Sequence, residues 1–241
     1  MNFRVLRAAT ALTAVVVGMS CAAGAAQASF IINATVGGAA AGVNYANFKN
    51  LTLGSTGGTS GGVTVSFVPD GQTVIGAADG LYAAPFISAS NGVPFGDMTV
   101  SGADTTRYLT TGIGQAKLTF PGAQTYLGLL WGSVDLFNKL EFFMGTTSVG
   151  VVNGGDIFAA AAGDQGVSGT YYANILSSMA FNNVVASSSS YAFEFDNVAY
   201  NPTNPNGVPE PLSLGLLGLG ILGMGFVRGR KDKTAVTRIT A

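Results

Sequence analysis

Between residues 30 and 200 the chain alternates short apolar runs with clusters of turn-forming residues. Val63, Val65 and Phe67 alternate with Thr64, Ser66 and Val68, so an extended strand here has one apolar face and one largely polar face. Similar runs predict strands near 30–36, 43–53, 62–68, 81–88, 108–111, 115–120, 125–131, 139–144, 148–152, 169–175, 181–186 and 191–200. Gly145-Thr146-Thr147 reads as a tight turn joining two of them. The apolar positions Phe193, Phe195 and Val198 slip out of a two-residue period, which predicts a bulge in the last strand. The helical candidate is 156–162, one or two turns. Many short strands with turn signals between them predict an all-β body, a jelly-roll-like β-sandwich over 29–200. The glycine-rich stretch 54–62 predicts a mobile surface loop; without a lysine it is no phosphate loop. Residues 201–207 read as a linker.

Both ends break this pattern. Arg4 and Arg7 precede an apolar stretch over 8–23, and Ala26-Gln27-Ala28 follows as a small-x-small site. These are the three parts of a secretory signal peptide over 1–28, with cleavage by signal peptidase expected between Ala28 and Ser29. At the other end Pro209-Glu210-Pro211 precedes sixteen uncharged residues, 212–227, and then Arg228, Arg230 and Lys231. As a helix that run spans about 24 Å, short of a hydrocarbon core of about 30 Å. It predicts a short transmembrane helix with its basic end held in the cytoplasm and the body outside.

The tail, over 208–241, closely resembles a PEP-CTERM sorting signal: a Pro-Glu-Pro motif, a glycine-rich apolar helix and an arginine-rich end. The resemblance implies recognition by an exosortase, a membrane transpeptidase-like cysteine protease of bacteria that make exopolysaccharide. It implies cutting near Pro209, Glu210 and Pro211, and export of the body to the cell surface or the extracellular matrix. The body also resembles a group of exosortase-dependent surface proteins. The residues that carry this are 126–135 (YLGLLWGSVD), Asn138, Leu140, Phe142 and 191–198 (YAFEFDNV), with 102–106 and 108–112 adding to it. That resemblance implies a location and no reaction.

Charge sharpens the reading. Residues 29–207 hold four cations against ten acids, a net of −6. Nucleic-acid binding needs clustered cations and is excluded. The whole chain has no histidine, so Ser-His-Asp or Cys-His catalysis and imidazole metal sites are excluded as well. The one cysteine, Cys21, leaves with the signal peptide, and a body without thiols suits an oxidising compartment.

An enzyme on this chain would work with carboxylates, pairing Asp135 with Glu141 or Glu194 with Asp196. Solvated positions on a strand's polar face are the simpler reading of these acids. Calcium is the cofactor that oxygen ligands allow, and Asp196 is the candidate ligand; its strand resembles the closing strand of carbohydrate-binding jelly rolls, in which an aspartate holds calcium. Trp131 and Tyr126 are candidates for stacking on sugar rings, against core packing. The function expected is a secreted, exosortase-processed surface or matrix protein, structural or adhesive and associated with polysaccharide. It would be an exosortase's substrate and not itself an enzyme. The alternatives are a carboxylate-based extracellular hydrolase and an ice-binding protein. The second needs a regular threonine array, and the threonines here are scattered.

Overall fold

The computed structural model describes residues 27–97 and 101–205. Ala26, the Pro-Glu-Pro motif, the apolar run and its basic end lie outside the described residues. Among those described, no helix is long and apolar enough to cross a membrane. Ala28 and Ser29, on either side of the expected cleavage point, lie at the sheet's edge. The Ala28 N–H donates to the Val149 carbonyl at 2.6 Å, and the Ser29 N–H donates to Ser178 Oγ at 2.9 Å.

The described residues are all-β, as their alternation predicts, with thirteen strands: β1 (Phe30–Thr35), β2 (Asn44–Ala46), β3 (Gly58–Ser60), β4 (Val63–Val68), β5 (Gln72–Val74), β6 (Phe86–Ile87), β7 (Gly102–Ala103), β8 (Tyr108–Thr110), β9 (Gln115–Gly132), β10 (Asn138–Met144), β11 (Thr147–Asn153), β12 (Tyr171–Ser188) and β13 (Glu194–Asn201). One helical turn, α1 (Gly154–Ile157), lies two residues earlier than the sequence suggests. Asn153 and Asp156 cap it reciprocally, the Asn153 N–H donating to Asp156 Oδ2 at 2.8 Å. The stretch 54–62 is no free loop, because β3 within it pairs with β4.

Two long strands organise the sheet. Residues 115–120 and 125–131 form one continuous strand, β9, and residues on both sides of Ser178 form β12. The first half of β9 pairs with β4 and with the second half of β12; its second half pairs with β13 and with the first half of β12. The register between the two slips from Leu176 to Asn183, where both strands bend. The halves therefore belong to two layers, one completed by β1, β13, β2, β8 and β5, the other by β10, β11, β4 and β3. The layers face each other: Phe30 of β1 lies 4.8 Å from Phe142 of β10, and Phe142 lies 5.0 Å from Phe181 at the bend.

The core explains which strands lost their alternation. β13 is flanked by β9 on one side and by β8 and β2 on the other, and its first seven residues are all buried. A strand covered on both faces has no solvent side to fill with polar residues. β4 has one open face and keeps the pattern read from sequence. The expected bulge in β13 is present: pairing with β9 slips between Asp196 and Ala199, and Asn197 adopts a left-handed φ of 51°. Asparagine tolerates that conformation better than most residues. The turn at Gly145 is also as read, with Met144 opposite Thr147 and Gly145 at φ 62°.

Candidate functional site

β13 delivers two carboxylates two residues apart, and both are buried: Glu194 is 2% and Asp196 0% exposed. They are not the solvated polar-face residues that the sequence suggested. They also do not act as a pair, because each faces a different set of partners.

Glu194 Oε1 accepts the Ala83 N–H at 2.9 Å, and its Oε2 accepts the Ser133 hydroxyl at 2.6 Å. Burial pushes this carboxyl upward; the bonds from Ser133 and Ala83 pull it back, and the neighbouring charge of Asp135 pushes it up again. Burial also raises Asp135. The acid electrostatically linked to Asp135 is thus Glu194, and not Glu141. Glu141 sits on β10, where Ser148 Oγ donates to it at 2.9 Å and Lys139 Nζ lies at 3.3 Å. Asp135 and Glu194 line a cavity of about 350 Å³ with Ser133, Gln165, Tyr82 and Tyr191. A second cavity of about 240 Å³ adjoins it and shares Leu81, Tyr82 and Tyr191. Tyr191 is 43% exposed at this junction.

Asp196 faces Asp97 and Asp104. One carboxylate oxygen from each lies within 4.8 Å of the others, and Asp104 and Asp196 are buried. Asp97 follows a 3₁₀ turn over Val93–Phe95, and Asp104 follows β7. Asp104 Oδ1 accepts the Thr106 N–H and hydroxyl, both at 2.7 Å, which leaves its Oδ2 turned to the cluster without a partner. Neither oxygen of Asp196 receives a hydrogen bond. The following Asn197 N–H approaches and favours the charged form, but not in hydrogen-bond geometry. Burial first, then the neighbouring Asp104 and Asp97, hold the Asp196 carboxyl well above the usual carboxylate range. Asn197 is 0% exposed; its Nδ2 donates to Asp97 Oδ2 while its Oδ1 has no partner. Lys49 Nζ lies 2.5 Å from Asp97 Oδ1 and donates to the carbonyls of Phe95 and Gly96 at 3.1 and 3.2 Å.

The stacking candidates are corrected by their placement. Trp131 and Tyr126 are both 0% exposed. Trp131 stacks on Phe193 at 4.3 Å and donates to Asn138 Oδ1 at 3.3 Å. Tyr126 donates to Asn174 Oδ1 at 2.6 Å, and burial pushes its phenol up to about 12. They lie on the second half of β9, which is covered on both faces, so neither offers a ring to solvent. The aromatics at a cavity are Tyr82 and Tyr191. Neither was a stacking candidate from sequence, although Tyr191 opens the 191–198 segment, because a tyrosine next to a turn carries no pattern of its own. Asp97 and Asp104 were not ligand candidates from sequence, being single acids, although Asp104 lies in the 102–106 segment and Asp104-Thr105-Thr106 is a local turn motif.

No family model matches the chain, and no curated protein matches it. Among solved structures, a mutant of a family 29 carbohydrate-binding module, studied for ligand recognition, aligns with 77% of this chain and 99% of its own at 10% identity and a TM-score of 0.32.

Proposed function

We propose that the protein is a secreted, exosortase-sorted surface or matrix protein whose jelly-roll-like sandwich body binds polysaccharide without catalysis. The observation that carries the binding reading is the pair of adjoining cavities with Tyr82 and Tyr191 between them. Tyrosine rings fit the C–H face of a sugar, and Asp135, Gln165 and Ser133 supply hydrogen-bonding groups for its hydroxyls. A hydrolytic role is the weaker reading. Glycosidases need one carboxyl free to move a proton and another to attack or activate water. Glu194 spends both oxygens on Ala83 and Ser133. The sorting half of the proposal rests on the order of parts in the sequence: signal peptide, body, Pro209-Glu210-Pro211, apolar run, Arg228, Arg230 and Lys231.

The test is an array of bacterial exopolysaccharide fragments probed with the secreted protein. Binding to a subset of fragments is expected, with a loss of tenfold or more in Tyr191→Ala and in Asp135→Ala. A blank array, or full binding in Tyr191→Ala, overturns the cleft reading. Release of reducing sugar from a bound fragment would overturn the non-catalytic one.

A further inference from the structure

We infer that Asp97, Asp104, Asp196 and the side-chain carbonyl of Asn197 form a calcium site that fastens Asp97 and Asp104 to β13. The inference is independent of the glycan reading. Three carboxylates meet in one place, and Lys49 is the cation beside them. It donates to the Phe95 and Gly96 carbonyls and, among the described residues of the cluster, its ion pair is with Asp97, not with Asp104 or Asp196. With all three carboxyls ionised, two negative charges would remain in this buried site, where unpaired ionised groups are costly. A divalent cation balances them.

The oxygens point the same way. Both Asp196 oxygens, Asp104 Oδ2, Asp97 Oδ1 and Asn197 Oδ1 are buried without a hydrogen-bond partner. Buried polar atoms in folded proteins nearly always have partners, so five orphans on these four residues imply a shared one. Every orphan is an acceptor, which asks for a cation and not for another acceptor. Carboxylates and an amide carbonyl, without nitrogen or sulfur, are the donor set of a hard ion. Mutual separations within 4.8 Å match oxygens around one ion at calcium's bond length of about 2.3–2.6 Å. Neighbouring contacts hold the ligands in place. Thr106 fixes Asp104, and the bulge at Asn197 turns its amide into the cluster. The Tyr172 hydroxyl donates to the Asn197 carbonyl at 2.9 Å and holds that bulge.

The experiment uses the full chain purified in detergent, stripped with a chelator and titrated with calcium chloride alone. At about a hundred times the dissociation constant the melting temperature should rise by roughly 5–10 °C. Terbium in calcium's place should luminesce on excitation of the nearby Tyr172, and calcium should quench that signal. Asp196→Asn keeps shape and removes charge. It should melt above the stripped wild type, because repulsion is relieved, yet show no calcium shift. If Asp196→Asn does not fold, Asp104→Asn reads the same two quantities. Glu141→Gln, outside the cluster, should keep the full shift. Four results would each overturn the inference. They are no shift together with no terbium signal, a shift retained in Asp196→Asn or Asp104→Asn, the same shift from equal magnesium, and stability that follows pH alone, as for a proton shared between Asp104 and Asp196.

Discussion

Replacing Asn138 by alanine should be among the most damaging single changes in the body. Asn138 is 1% exposed and uses both ends of its amide. Its Oδ1 accepts the Trp131 indole N–H at 3.3 Å and the Asp135 N–H at 3.0 Å. Its Nδ2 donates to Ser188 Oγ at 3.2 Å and to the Ala192 carbonyl at 3.1 Å. Alanine removes four bonds and leaves four polar groups behind. At a net value of about 1 kcal/mol per bond the loss approaches 4 kcal/mol. Asp135 is only partly buried, and water reaching its N–H lowers the figure to about 3. For a domain of this size that corresponds to a fall in melting temperature of roughly 6–16 °C. The assay is built in, because Trp131 is the chain's one tryptophan and reports on its own bond. Urea unfolding followed by its emission should show a lower midpoint, and the folded-state spectrum should shift. A loss below about 1 kcal/mol with unchanged emission would refute the claim that this amide ties β9, β10 and the 188–192 turn together.

Two further outcomes are expected. Burial raises the Asp135 carboxyl above its ordinary 3.8, so the folded state holds that proton more tightly than the unfolded state does. Its contribution is present at low pH and is lost as pH rises from about 4 through the raised value; Asp135→Asn should therefore gain slightly in melting temperature over that window and hold the gain above it, and an equal gain at pH 3 would show another cause. In a host with an exosortase, changing Pro209, Glu210 and Pro211 together to alanine should leave a longer, membrane-held form, since the apolar run and Arg228, Arg230 and Lys231 stay intact; mass spectrometry of the membrane and surface fractions decides, and loss of the tail despite the change would refute recognition through that motif.

The strands that sequence made legible are those with one open face. β4 and the β10–β11 hairpin read directly, since water outside and core inside impose alternation and the turn demands its glycine. The bulge in β13 was visible as a lost period. The unity of β9 and β12 was hidden. Pro121-Gly122 and Ser177-Ser178 look like turns, yet in the fold they lie where each long strand bends between layers. The acids were misjudged for a related reason. A strand buried on both faces gives no periodic sign that its polar residues are inside, so Glu194 and Asp196 looked like surface residues. The partners of Asp196 lie 99 and 92 positions earlier in the chain, a juxtaposition only the folded sheet creates.

The two bent strands also set the order in which the chain can fold. β10 and β11 close across two residues and can form as soon as both exist. β9 and β12 pair across 40 residues at Trp131–Tyr171 and across 72 at Gln115–Ser187, so the spine of both layers waits for a large loop to close. β1 pairs Phe30 with Ser177, a span of 147 residues, and β13 is the last strand to appear. Such non-local pairing is slow, in the range of milliseconds to seconds. A chain emerging N-terminus first therefore carries β1 without a partner until residues 172–177 arrive. It completes its sheet only when nearly the whole body is present, so folding is held back until residues up to about 201 have emerged.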